Sequence, residues 1–592
     1  MDTRDPGSRR IDRPVETEIA SHYGSDAIAQ MLRALKVRYV ALNPGASFRG
    51  VHDSLVNYLG NDDPSMLLCL HEENAVAIAH GYAKVAGEPI AVFLHSNVGL
   101  MHGAMAIFNA WCDRVPMLIF GATGPVDAAA RRPWIDWIHT TTDQAALVRP
   151  YVKWDNQPAS VPAAMEAMIR ADIMARTEPC GPTYVTFDTQ LQEAPLAAAP
   201  QLPDPARYRR PEKAGPSAAM VEAALAMIAR AKAPVILAGR VSRSTEDWAR
   251  RIAFAEALGA GVVTDQKVGA AFPTDHPLHR GAPRFFLGDE GAEALCAADL
   301  VISLDWLDLA GTLRLAGRVD AAVLNISLDH LLHGGWNMEH QALPAVDLHL
   351  PVDPDLAVQA FCEALAIEPA PLPADSPVCP AAPPASSDAA LDMTTLASAL
   401  GQGLKGECVS FVRLPLGWAS ENWHFRHPLD FLGYDGGAGI GSGPGMLVGA
   451  ALALRDSERL AVGVLGDGDF MMANSAIWTG VHYGIPFIAV VANNRSFFND
   501  EVHQERVAVM RERPVENKWV GQRIAEPDID IAAIARAQGA VGIGPVTKVG
   551  ELQEAVRRAV SLARQGSSVV IDARIVPGYS KAMAAGLVRE AD

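Results

Sequence analysis

Two short polar runs in the last third of the chain have the residue types and spacing for phosphate chemistry. Gly466-Asp467-Gly468 directly follows the apolar run LAVGVL, and Asn493-Asn494 directly follows PFIAVVA. Apolar runs of this kind predict buried parallel strands. Both polar runs then fall at strand carboxyl ends, where open α/β sheets bind ligands beside helix N-termini. Asp467 and the side-chain carbonyl of Asn494 offer the oxygen ligands that a hard cation such as Mg2+ takes, and the two glycines let the main chain approach an anion. GDG alone commonly marks a turn and NN alone a loop, so it is their joint placement that is informative.

Three other segments carry candidates. LLCLHEENAVAIAHGYAKVAG reads as a strand followed by a helix opening on Glu72 and Glu73. Acidic residues in a first helical turn complement the helix dipole, which would account for either glutamate. FLHSNVGLMHGAMAIFNAW places His95 at the end of another apolar run, where a histidine suits proton transfer near neutral pH or simply packs as a hydrogen-bonded core residue. GGAGIGSGPGMLVGAAL is a glycine-rich loop leading into a helix.

Together, from about residue 21 to 579, these segments resemble the thiamine-diphosphate-dependent family of decarboxylases and acetolactate synthases. GDGDFMMANSAIWTGVHYGIPFIAVVANN is similar to that family's signature for diphosphate and Mg2+. The resemblance implies that Asp467, Asn494 and the backbone carbonyl of Ser496 hold the metal, with Gly468 and Asp469 bordering the diphosphate. Asp469 departs from the family, which often has a small hydroxylic residue there, and brings an extra negative charge. Ile440, beside Gly441, matches the bulky side chain that props the cofactor into a bent shape. Counting back from Gly81-Tyr82-Ala83 selects Glu72 as the acid that activates the cofactor through its distal pyrimidine nitrogen, leaving Glu73 to the dipole.

Within the family, the first and third domains look most like benzoylformate decarboxylases, through NPG at Asn43 to Gly45, the His95-Ser96 pair, RPYVKWDNQPASVPAAM and SAIWTGVHYGIP. That likeness puts His95 in the active site. The serine expected after NPG is Ala46, with Ser47 one place later, and no second histidine is evident in LDWLDLAGTLR of the middle domain. Acetolactate synthases usually carry a glutamine after their first-domain strand, whereas this chain has RRPWIDWIHTTTDQ; its Trp134, Trp137 and His139 suit the lining of a pocket for a bulky substrate, although tryptophan in a loop more often just packs on a neighbour. In this family the glutamate and the metal site come from different subunits, so a homodimer is the expected minimum and a homotetramer the expected assembly.

The elements that must position these residues read as three consecutive parallel-sheet α/β domains. The first, expected at 21–192, has RYVALNPG, SMLLCL, PIAVFL, VPMLIF and PTYVTF as strands alternating with helical stretches. The second, at 206–366, has APVILAG, GAGVVTD, DLVISLD and AAVLNIS; the third, at 391–579, has RLAVGVLGDG, PFIAVVANN and SSVVIDARIV. By the resemblance these are pyrimidine-binding, central and diphosphate-binding domains. An Ala/Pro-rich linker is expected at 367–390, a frayed N-terminus at 1–20 and a tail at 580–592. A formal charge of −18 opposes nucleic-acid binding, no apolar run has membrane-spanning length, and the polar start lacks a signal-peptide core. Seven scattered cysteines without CxxC spacing argue against a zinc or disulfide framework and for a cytoplasmic protein.

The expected activity is cleavage or formation of a carbon–carbon bond on a 2-oxoacid, by a decarboxylase or carboligase. The alternative is a 2-hydroxyacyl-CoA lyase whose middle domain binds the nucleotide through Arg240, Arg243, Arg280 or Arg284, residues equally consistent with a solvated surface. A non-catalytic scaffold is disfavoured by the joint presence of Glu72, Asp467 and Asn494.

Overall fold

The structure, a computed structural model, describes residues 10–16, 18–329, 343–369, 376–380 and 385–578. The expected tail at 580–592 and half of the expected N-terminal segment lie outside these residues, as does part of the Ala/Pro-rich stretch. In the described part of that stretch, Val378 N–H donates to the Glu407 carbonyl, and Ala390 bridges Lys548.

Uninterrupted apolar runs become strands buried on both faces, because helices cover each side of a parallel sheet. The first domain holds β1 (Tyr39–Leu42), β2 (Ser65–Leu68), β3 (Ala91–Leu94), β4 (Met117–Thr123), β5 (Asp155–Asn156) and β6 (Pro182–Asp188), in the order β2-β1-β3-β4-β6-β5. All pairs are parallel, with Leu42 of β1 registered on both Leu68 and Phe93. A short antiparallel pairing of His22–Tyr23 with Pro195–Leu196 ties the two ends of this domain together.

The central sheet is β7 (Pro234–Ala238), β8 (Gly261–Val263), β9 (Leu300–Leu304), β10 (Ala322–Ile326) and β11 (Leu348–Leu350), ordered β8-β7-β9-β10-β11 and parallel. The third is β12 (Val409–Arg413), β13 (Leu460–Gly466), β14 (Ile488–Asn493), β15 (Val541–Val546) and β16 (Val569–Arg574), ordered β12-β13-β14-β16-β15 and likewise parallel. Three parallel-sheet α/β domains in succession are therefore present. No helix among the described residues is long and apolar enough to cross a membrane, and the cysteines are free thiols.

Four helices matter for the site: α1 (Glu72–Ala86), α2 (Ser96–Cys112), α3 (Gly443–Ala453) and α4 (Asp467–Ala473). α1 is capped at its start by His71, which accepts the Glu73 N–H, and ends on Gly87 in the left-handed conformation at φ 67°. α1 of the first domain packs on α3 of the third almost backbone to backbone. A Cβ on Gly81 would lie 2.0 Å from the Met446 carbonyl oxygen, and one on Gly449 1.9 Å from that of Ile78. One apolar core runs through this contact, joining Val76 and Ile78 to Met446 and Val448. Gly449→Val is therefore expected to push the helices apart and lower stability by about 3 kcal/mol or more, the upper end of what overpacking costs. Thermal unfolding measures this; an unchanged midpoint would mean that the contact is not tight in solution.

Candidate active site

The third sheet builds an oxygen-rich end. β13 terminates at Gly466 and α4 opens on Asp467, while β14 terminates at Asn493. The Ser496 N–H donates both to Asp467 Oδ2 at 3.1 Å and to Asn494 Oδ1 at 2.9 Å, so the two side-chain oxygens converge on one point. The first asparagine works differently. Asn493 Nδ2 donates to Asp572 Oδ1 at 2.8 Å and its Oδ1 accepts the Arg495 N–H at 3.1 Å, fixing the turn that carries Asn494. Asp467 is buried, and burial pushes its carboxyl up to about 6 against the backbone N–H groups that favour its charged form. A buried carboxylate beside a second oxygen donor is the donor set a divalent cation compensates. A Cβ on Gly466 would meet nothing within 4 Å, which leaves room beside the strand end for a diphosphate. The residues present thus fit both Mg2+ and the diphosphate.

Asp469 is compensated within the fold. Its Oδ1 accepts the N–H groups of Gly441 at 2.6 Å and Gly443 at 3.3 Å, and its Oδ2 lies 3.0 Å from Arg413 Nε. Arg413, at the end of β12, also pairs with Asp435 and lies 4.3 Å from the centre of the Tyr434 ring. Asp435 in turn accepts the Ala438 N–H at 2.8 Å and the Ser442 hydroxyl at 3.2 Å. Arg413, Asp435 and Asp469 are buried. Together they staple down the loop that carries Ile440, which is half-buried, and Gly441, whose φ of 105° a side chain would strain. Asp469 is thus a loop anchor, and Gly468 sits over Phe497, which a Cβ there would meet at 2.5 Å.

The first sheet builds the other end. Glu72 opens α1 just beyond β2; its Oε2 lies 3.2 Å from His102 Nδ1, and its Oε1 would lie 3.1 Å from a Cβ on Gly99. Consecutive helical residues point roughly 100° apart, and Glu73 accordingly turns elsewhere, to 3.5 Å from where a Gly441 Cβ would be. Burial, with Asp469 adding to it, raises the Glu73 carboxyl. Glu73 therefore faces its own chain's glycine-rich loop as well as complementing the dipole, while Glu72 faces α2.

His95 follows β3 and precedes α2. Ser47 points at it: Oγ lies 2.8 Å from Nδ1, and the Ser47 N–H also approaches Nδ1 at 3.4 Å. Ser47 Oγ accepts the Ser96 N–H at 3.1 Å, which leaves its hydroxyl proton for the ring. Nδ1 is then the acceptor, and the neutral imidazole carries its proton on Nε2. The Ser47 hydroxyl, one place after the position expected for it, thus still reaches His95. A side chain on Gly45 would collide with His95 Cβ at 2.3 Å, giving NPG its glycine. His139 supplies a second imidazole: its ring stands edge-on to His95 with centroids 4.6 Å apart. Burial first, then His139, lowers the His95 pKa, while Glu72 opposes them. Trp134 and Trp137, flanking the turn that leads to His139, are 68% and 75% exposed in the single chain.

The middle-domain arginines are largely committed to the fold. Arg240 is paired with Asp305 at 3.0 Å and Asp329 at 2.6 Å, Arg243 donates to the Leu432 carbonyl at 2.8 Å, and Arg280 to that of Pro277 at 2.8 Å. Arg284 lines a cavity of about 350 Å³ with Phe285, Phe286 and Trp418.

The N-terminal TPP binding domain of thiamine pyrophosphate enzymes matches residues 22–147, their central domain 221–308 and their C-terminal TPP binding domain 415–573. Benzoylformate decarboxylase of Pseudomonas aeruginosa is 24% identical over 529 residues, covering 85% of this chain and 91% of that protein. The acetolactate synthase large subunit of Lactococcus lactis is 27% identical over 287 residues, 48% of this chain and 47% of that one. Among solved structures, benzoylformate decarboxylase from Polynucleobacter necessarius superposes with a TM-score of 0.77 at 23% identity, covering 94% of this chain and 99% of that one. With all three domains matched in order, the chain belongs to the thiamine pyrophosphate enzymes, a family that includes decarboxylases and acetolactate synthases, and its cofactor is thiamine diphosphate.

Proposed function

We propose that the chain, with Mg2+ and thiamine diphosphate, cleaves or forms a carbon–carbon bond on a 2-oxoacid, as a decarboxylase or carboligase. When bound, the cofactor supplies a carbon nucleophile and an electron sink for the bond next to the carbonyl. Asp467, Asn494 and the Ser496 carbonyl would hold the metal, Ile440 would support the bent cofactor, and Glu72 would hold a proton at the distal pyrimidine nitrogen. His95 would move a proton at the substrate-derived carbon or oxygen through Nε2. The observation that carries the reading is the His95 imidazole, held by Ser47 in one tautomer and near enough to Glu72 to feel its charge.

The different facing of Glu72 and Glu73 supports a homodimer, or a tetramer of two dimers. Glu73 serves its own chain's loop, which leaves Glu72 for a cofactor held by the partner's third domain. The test is a panel of 2-oxoacids, with and without aldehyde acceptors, assayed for carbon dioxide and for ligation products. Turnover of none, by a protein shown to be loaded with cofactor, would overturn the reading.

His95→Ala is expected to leave exchange of the cofactor C2 proton nearly normal while turnover of an accepted 2-oxoacid falls roughly a hundredfold or more. Turnover is normalised to loaded protein and paired with a melting curve. A lowered melting point with unchanged turnover would make His95 a core residue.

A further inference from the structure

Glu72 also belongs to a constellation of different ligand chemistry. His71, Glu72 and His102 each bring a metal-ligating type of atom to within 4.8 Å of one another, the one such group of three found among the described residues. His71 uses Nδ1 to accept the Glu73 N–H at 3.2 Å, leaving Nε2 as its ligand atom. His102 turns Nδ1 to Glu72 Oε2 at 3.2 Å, and its side chain is 59% exposed. The two imidazoles stack with centroids 5.1 Å apart at an interplanar angle of 16°. In a tetrahedral zinc site with bonds of about 2.0–2.1 Å, ligand atoms stand roughly 3.4 Å apart. Near-parallel rings aim their lone pairs side by side, so the exposed His102 has to turn its ring toward His71 and Glu72 as well as close the remaining gap, which a side-chain rotation can do.

Two imidazoles and a carboxylate suit Zn2+ and its transition-metal neighbours and not Mg2+, which prefers an all-oxygen set such as Asp467, Asn494 and the Ser496 carbonyl. We propose that His71, Glu72 and His102 form a second, inhibitory metal site for Zn2+, in which the ion captures the Glu72 carboxylate and removes it from cofactor activation. The site rests on the geometry of the three side chains; its inhibitory effect rests on the role given to Glu72 above. The chain then sorts two cations by ligand type. Mg2+ supports the reaction at one end, and Zn2+ blocks it at the other.

The experiment titrates Zn2+ into the full-length protein in saturating Mg2+, by calorimetry, and repeats it with Co2+ to read the absorption of a four-coordinate ion. One ion per chain is expected. His102→Gln and His71→Asn, the latter keeping a helix-capping side chain, are each expected to bind Zn2+ roughly tenfold or more weakly. Asp467→Ala is expected to bind it as wild type does. Melting curves confirm that the variants fold. Zn2+ affinity unchanged in both histidine variants, or no binding at all, would overturn the site. Deuterium exchange at the cofactor C2 is expected to be suppressed by Zn2+ in wild type and spared in His102→Gln at the same concentration. Exchange unaffected in wild type with the site filled would overturn the inhibition. Glu72→Gln measured without Zn2+ then shows whether the fault lies in the role given to Glu72.

Discussion

Glu72→Gln is expected to retain thiamine diphosphate but to slow exchange of its C2 proton with deuterium roughly a hundred- to ten-thousandfold, the range set by losing a positioned acid–base group. An amide of the same shape keeps the packing against Gly99, and its oxygen still faces His102, so binding and folding are preserved. It cannot hold the mobile proton that a carboxyl shares with a ring nitrogen. Glu73→Gln is the control. Its side chain faces the chain's own Gly441 loop, so it is expected to alter loop stability more than exchange. Undiminished exchange in Glu72→Gln with loss in Glu73→Gln would reverse the assignment. NMR of the bound cofactor reads the rate directly.

The second large effect is at Asp467, where function and stability pull in opposite directions. Asp467→Ala is expected to abolish Mg2+-dependent binding of thiamine diphosphate, because in the proposed site it removes the charged ligand for the metal that the diphosphate needs. Calorimetry with and without chelator decides it; wild-type affinity in the variant would displace the site. In the cofactor-free protein the same carboxylate is a burden. Its carboxyl is raised from the usual 3.8 to about 6, mainly by burial, so the neutral form is the one the fold favours. The cost of charging it is absent below pH 4, grows as pH rises from about 4 to 6, and is complete above 6. A rise of about two pH units corresponds to about 3 kcal/mol. Cofactor-free Asp467→Asn is therefore expected to unfold at a higher temperature than wild type at pH 8, with the gain vanishing near pH 4. Melting curves across that range check the sign; a variant destabilised at pH 8 would show that the carboxylate is already compensated.

The layered plan and the oxygen-rich end of the third sheet were legible in the amino-acid order, because both are contiguous. Continuous apolar runs such as LAVGVL and PFIAVVA have to be buried on both faces, and they became β13 and β14. The polar residues that follow them then had to fall at the strand ends, which brought Asp467, Asn494 and Ser496 together. The runs before His95 and Glu72 worked the same way. Strands with weaker patterns escaped. VGIGPV of β15 carries glycine and proline at a sheet edge, β5 is a two-residue edge pairing, β11 has three residues, and β12 ends in the charge of Arg413.

What surrounds each site residue emerged only in the folded chain, since those partners lie far apart in sequence and no local period links them. Ser47 meets His95 from another strand end, and His139 reaches it from a loop beyond β4. Asp469, an unwelcome charge when taken with its neighbours alone, is held by Arg413 and by the N–H groups of Gly441 and Gly443. Which glutamate turns to α2 and which to the glycine-rich loop follows from the packing of α1 on α3 through Gly81 and Gly449, an approach that bare glycine backbones permit and that no residue-by-residue reading contains.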